Sequence, residues 1–184
     1  MNKNIQKFLD AFPKELERDI RVIWENINLN EKIDSNSTFE IQIDKEKISI
    51  PERIYCEEFN ENQIEKLTQF QRCIFNCYLT RHHNGHVRQS ALRNIFSGNV
   101  EKWMIPYILR LTGEYVEGIL KDIYKNIDLI NVNDLKDFIN NNKDFIKLNQ
   151  CRILSYWNEY HRHIEKNNYV GFKIIEKINF FMEW

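Results

Sequence analysis

A mainly α-helical fold carrying one small N-terminal β-hairpin is predicted for this 184-residue chain. Apolar residues recur at helical spacing along most of it, and a single stretch near residue 40 switches to strict alternation. Glycine and proline number only 5 and 3, whereas sandwiches and barrels turn about every 8 to 12 residues and draw on those two to do so. Hydrophobic residues are 42% and aromatic residues 13% of the chain, enough large apolar surface to build a core rather than stay disordered. No Pro-, Gly- or Ser-rich linker interrupts it, so residues 1–184 are expected to form one helical domain with the hairpin as an insert at about 37–54.

At the N-terminus, Ile5, Phe8, Leu9 and Phe12 line one helical face, and Leu16, Ile20, Ile23, Trp24 and Ile27 line a second. Pro13 separates the two, because it lacks the N–H that a continuous helix needs. In "STFEIQIDKEKISIPERIY", Phe39, Ile41 and Ile43 alternate with polar residues, as do Ile48 and Ile50 after the charged turn "DKEK". That is a hairpin, with Pro51 ending its second strand. Helical spacing then returns. Leu67, Phe70, Cys73, Ile74, Cys77 and Tyr78 form one helix, and Val87, Ala91, Leu92 and Ile95 a shorter one that should pack on it as an antiparallel pair. The segment "VEKWMIPYILRLTGEYVEGILKDIYKNI" reads as one long helix or a kinked pair, with Pro106 at a first turn or a kink. Gly113 and Gly118 suggest close approach of a neighbour. Further helices are expected at Asn133–Ile146, broken near "NNNK", at Gln150–Ile164 and at Tyr169–Phe181.

The N-terminal residues show no signal-peptide pattern and no window reaches the roughly 18 to 20 uncharged apolar residues of a membrane span. A cytoplasmic protein with no membrane partner is expected. Cys56, Cys73, Cys77 and Cys151 sit among apolar neighbours and read as reduced core thiols. The formal charge of −1 is unevenly spread. Residues 1–66 carry 10 basic against 15 acidic side chains (−5), residues 67–112 carry 6 against 1 (+5), and residues 113–184 carry 10 against 11 (−1). A basic middle between acidic or neutral flanks implies separate contact surfaces or internal complementarity.

Chemistry-bearing side chains concentrate in "CYLTRHHNGHVRQSALRNIF". Cys73 and Cys77 lie four apart, with His82, His83 and His86 close behind, which is locally dense in zinc ligands. Both cysteines nevertheless belong to the apolar stripe of Ile74, so no metal is expected. His82, His83 and His86, with Arg81 or Arg88 to stabilise a phosphorane, are the set a metal-free nuclease needs. The plainer reading is a solvated turn that carries surface histidines. A third reading, a nucleic-acid-binding solenoid, rests on Arg72, Arg81, Arg88 and Arg93; with six basic residues over this segment the electrostatic footprint is modest, and nucleic acid is not the favoured partner. His161 and His163, two apart, point away from one another on a helix. Ile153, Trp157, Tyr160 and Ile164 read as a core stripe. Phosphate loop, nucleophile elbow and His-Glu-x-x-His patterns are missing, and no cofactor is called for.

The residues Asn84, Gly85, Val87, Arg88, Ala91 and Leu92 resemble the second half of a HEAT-type repeat: an Asn-Gly turn, then Val-Arg, then a small residue and Leu. The resemblance covers about 30 residues in one copy, whereas stacked repeats need about three. It implies an α-solenoid-like bundle of antiparallel hairpins. In type, a short, soluble, single-domain chain without a catalytic set also resembles the immunity proteins of bacterial polymorphic and contact-dependent toxins. That resemblance implies a non-enzymatic partner of a cognate toxin, a basic nuclease in many cases, whose active site is covered by acidic side chains. Glu57, Glu58, Glu61 and Glu65, with Glu114 and Glu117 further on, are the matching candidates.

Overall fold

The computed structural model describes residues 3–27, 37–56, 59 and 61–182. The chain is mainly α-helical with a single two-stranded sheet among the described residues, and it falls into two compact units, Met1–Ile95 and Phe96–Trp184.

In the first unit, α1 (Lys3–Asp10) stops ahead of Pro13, and a short 3-10 turn, Lys14–Leu16, leads into α2 (Glu17–Ile27). Their inward faces are those the spacing predicts: Phe8, Phe12, Leu16, Ile20, Ile23, Trp24 and Ile27 are all buried. Phe8 is the centre of an aromatic cluster, with ring centroids 4.3 Å from Tyr78, 5.6 Å from Phe12 and 6.4 Å from Trp24. Edge-on and tilted rings at these separations gain quadrupole attraction beyond their buried area.

Strands β1 (Thr38–Ile43) and β2 (Glu46–Pro51) pair antiparallel, with Phe39 opposite Ile50 and Ile41 opposite Ile48. The loop between them is only Asp44–Lys45, and Asp44 takes a left-handed φ of 50°, a conformation that aspartate tolerates better than most residues. Glu46 and Lys47 therefore belong to β2 rather than to the turn, and Lys47 reaches Glu40 across the sheet at 2.6 Å. An isolated hairpin is marginal in water, and this one buries its Ile and Phe face with β2 packed against α1.

After the short α3 (Glu61–Glu65), α4 (Gln69–Leu79) starts at a capping box. The Gln71 N–H donates to Thr68 Oγ1 at 3.2 Å, and the Thr68 N–H donates to Gln71 Oε1 at 3.1 Å, which satisfies two N-terminal amides. Helix α4 packs on α2 with Ile74, Phe75, Cys77 and Tyr78 inward. Phe70 is on the same stripe but occupies the first turn and stays exposed, and Leu67 is buried ahead of the helix. Helix α5 (Gly85–Phe96) follows, with Ala91, Leu92 and Ile95 buried. Asn94 Nδ2 donates to Asn76 Oδ1 of α4 at 3.3 Å.

The second unit opens with a 3-10 turn, Lys102–Met104, and α6 (Ile105–Arg110), whose first turn holds Pro106. Every residue from 103 to 114 is buried, so α6 is a core helix without a polar face. No single long helix forms here. A 3-10 turn at Leu111–Gly113 and extended backbone at Glu114 end the segment, and α7 (Glu117–Asn126) begins afresh. A Cβ at Gly113 would sit 3.1 Å from Asn149 Oδ1 and 3.2 Å from Arg152 Cδ, so the close neighbour expected there is α9. Gly118 lies in the first turn of α7.

Helix α8 (Val132–Asn141) is capped by Asn131, whose Oδ1 accepts from the N–H groups of Asn133 and Asp134. The break falls at Asn142, where φ is −130° and ψ is 42°, and α9 then runs unbroken over Lys143–Tyr160. A boundary near Gln150 is thus corrected: Phe145, Ile146, Asn149 and Ile153 make one continuous inward stripe. Helix α10 (Val170–Asn179) packs on α7 and α9. At Gly171 an added Cβ would lie 2.6 Å from the Tyr169 ring and 2.7 Å from Ile153 Cγ2, so only glycine fits. Among the described residues no helix is long and apolar enough to cross a membrane.

Candidate functional site

The histidine-rich turn is a structural joint. Behind β2 the chain runs alongside it: the Ile54 N–H donates to the Arg81 carbonyl at 2.8 Å, and the His83 N–H donates to the Ile54 carbonyl at 2.9 Å. Arg81 is fully buried, with Nε and Nη2 donating to the carbonyls of Pro51 (3.2 Å) and Glu52 (2.8 Å) and its guanidinium 5.9 Å from the Phe39 ring centroid. Arg88, 1% exposed, donates from Nη1 to the carbonyls of His82 (2.9 Å) and His83 (2.8 Å). These guanidiniums are spent on backbone carbonyls that end a helix and a strand. Arg72 is spent likewise, on the carbonyls of Leu67 and Glu65. Of the four arginines that a nucleic-acid surface requires, Arg93 is exposed.

The His82 and His83 rings lie 4.3 Å apart, but the three histidines differ in burial and in what holds them. His82 is buried, and its Nδ1 accepts from the Asn84 N–H at 3.0 Å, which assigns the ring proton to Nε2 and its donation to the Cys56 carbonyl at 3.2 Å. With both nitrogens held by backbone groups, this ring joins 54–56 to the turn and is in no position to shuttle a proton. That corrects the picture of a wholly solvated turn. His83 and His86 are exposed, and His83 stacks on Tyr55 with centroids 5.6 Å apart. The turn geometry comes from Asn84 rather than from a left-handed glycine: Asn84 Oδ1 accepts from the His86 N–H at 2.9 Å and caps α5, and no glycine among the described residues has a positive φ.

The neighbouring thiols fit the same picture. Cys77 is buried, and burial, followed by proximity to Cys73, pushes its thiol well above the ordinary range, away from the thiolate that binds zinc. Among the described residues no three His, Cys, Asp or Glu side chains are placed to hold one metal ion.

The acidic candidates separate. Glu57 and Glu58 lie outside the described residues, as does the side chain of Glu61. Glu65 is exposed at the end of α3. Glu114 is 3% exposed, so its carboxylate belongs to the interior and offers nothing to a partner, which corrects its place among the contact residues. Glu117 is half-buried at the start of α7 and pairs with Lys121 at 2.9 Å.

What the structure brings to the surface beside these last two residues is aromatic. Tyr115, between α6 and α7, lies 6.0 Å from Tyr156 and 6.3 Å from Tyr160, and Tyr156 and Tyr160 stack one turn apart on α9 at 6.2 Å. Tyr115 is 55% exposed and Tyr160 58%. Three phenols held against one another are rigid, amphipathic and wet on one side, the properties that place tyrosine at interface hot spots. In the chain Glu117 follows Tyr115 by two residues, and the exposed Glu159 directly precedes Tyr160. Placing Tyr160 in a core stripe missed this surface. The inward stripe of α9 passes through Ile153, and Ile164 lies beyond the helix end. The spacing Tyr156–Tyr160 was visible as an i, i+4 pair, but Tyr115 meets it only through the fold.

No protein-family model, curated protein or solved structure matches the chain.

Proposed function

We propose that this chain is a non-enzymatic module that binds another protein, and that the partner is a basic toxin whose active site it covers, in the manner of an immunity protein. The observation that carries this reading is the exposed cluster of Tyr115, Tyr156 and Tyr160. Rings already ordered by mutual packing lose little freedom on binding and exclude water from whatever they contact. The exposed Glu159 on the same helix as Tyr156 and Tyr160 supplies the sign that steers a basic partner, with an on-rate that falls as salt rises, whereas Glu117 is paired with Lys121. The nuclease and nucleic-acid readings have less support, because His82, Arg81 and Arg88 are all engaged with backbone groups.

The test is co-expression with the product of the adjacent gene. A complex is expected, and Tyr115→Ala with Tyr160→Ala should weaken it at least 30-fold, equivalent to about 2 kcal/mol, while leaving the circular dichroism unchanged. Glu159→Lys should slow association and flatten its salt dependence. Failure to form a complex, or a double variant that binds as tightly as the parent, overturns the reading.

A further inference from the structure

A second surface of the 96–184 unit is built to receive an apolar side chain. Ile127, Ile130, Val132 and Leu135 form one side of a groove of about 330 Å³, and Phe180 and Phe181, at the end of α10, form the other. That volume lies near the lower end of the about 300–1,000 Å³ found for ligand sites, so it holds one anchor rather than a nucleotide-sized molecule. Of the lining residues, Phe180 is 85% exposed and Val132 56% exposed. A small molecule seated in the groove would leave this apolar rim in water, whereas a polypeptide laid across it covers both.

The charges at the rim select the partner further. Lys177 Nζ is held at 2.6 Å from Asp128 Oδ2 and stands 5.1 Å over the Tyr124 ring, so this cation and this carboxylate neutralise one another. Glu176, also lining the groove, is exposed and has no charged or hydrogen-bonding side-chain partner among the described residues. The rim therefore carries one uncompensated negative charge beside an apolar slot.

From this we infer that the groove is a docking site for a protein segment that inserts an aromatic or branched aliphatic side chain and sets a Lys or Arg against Glu176. An anionic bilayer has the wrong sign for it, and the lysine that the same surface of a second copy would bring, Lys177, is already paired with Asp128. The inference uses residues separate from the tyrosine cluster and stands without the function proposed above.

The experiment titrates the full chain, labelled with 13C in its Ile, Leu and Val methyls, with two synthetic peptides that differ only in charge: a twelve-residue amphipathic helix of Leu, Trp and Lys, and the same sequence with Glu for Lys. Saturable shifts at Ile127, Ile130, Val132 and Leu135 are expected with the basic peptide, with affinity at least tenfold weaker for the acidic one. Glu176→Lys should remove that preference, and Val132→Arg should abolish binding; both positions are exposed, so the fold should tolerate them. Equal affinity for the two peptides, or shifts spread elsewhere, overturns the inference. So does sedimentation showing self-association that Phe180→Ser removes, or binding to phosphatidylglycerol vesicles in preference to the basic peptide.

Discussion

Replacing Tyr78 with Phe should make the protein more stable. Tyr78 is fully buried, its ring packs 4.3 Å from Phe8, and its hydroxyl has no hydrogen-bond partner among the described residues. A buried hydroxyl left unsatisfied costs about 1–3 kcal/mol. Removing the oxygen forfeits only a few dispersion contacts of about 0.1–0.2 kcal/mol each, and the ring contacts with Phe8 and Phe12 persist. The net gain is therefore about 1 kcal/mol. With a urea slope of about 2 kcal/mol per molar, that moves the unfolding midpoint upward by about 0.5 M at constant slope. Equilibrium urea unfolding followed by far-ultraviolet circular dichroism measures it, and Tyr78→Leu, which loses ring contacts as well, should instead destabilise. A midpoint that falls for Tyr78→Phe refutes the reasoning, since it requires that the hydroxyl be bonded in the folded protein.

Other outcomes follow from the joint and the caps. Arg88→Met keeps the apolar stem but strips the donors from the His82 and His83 carbonyls, and should cost about 2–4 kcal/mol by the same urea assay. Asn84→Ala removes the α5 cap and should cost about 1 kcal/mol, with Asn84→Gly closer to the parent. Burial, and then the Glu117 carboxylate, pushes the Tyr169 phenol from 10 to about 12. In the pH 10–12 window the unfolded chain gives up that proton while the folded one keeps it, so stability falls as pH rises, by up to about 1.4 kcal/mol per unit. Tyr169→Phe should remove that part of the alkaline loss, which urea midpoints at pH 9, 10 and 11 will show.

Local pattern was sufficient wherever one face of an element had to be apolar. The alternation of Phe39, Ile41 and Ile43 against Ile48 and Ile50 is a backbone-period signal, and those residues form the hairpin's buried face, although the two-residue loop Asp44–Lys45 sets a register that a turn over all of "DKEK" would not. The split at Pro13 follows from a missing N–H that no tertiary context can restore, and the same lack confines Pro106 to a first turn or a kink, of which the structure has the first turn. Spacing was insufficient inside α9: the break near "NNNK" falls at Asn142 as expected, but the boundary expected near Gln150 does not form, so the frame of α9, and with it the exposure of Tyr160, had to come from packing.

The chain's own order of residues thus determined the fold class, the hairpin and most inward faces, because those depend on side-chain period and on what proline and glycine permit. The fate of each polar group was decided by tertiary structure alone. Arg81, Arg88 and His82 are as polar in sequence as any catalytic set, yet the strand end at residues 51–56 folds back and takes the donors of Arg81 and His82, while Arg88 donates to the His82 and His83 carbonyls of the turn. Glu114 is buried while Tyr115 beside it is exposed. A buried polar group without a partner costs free energy, and which residues end up buried is a property of the packed chain rather than of any local window.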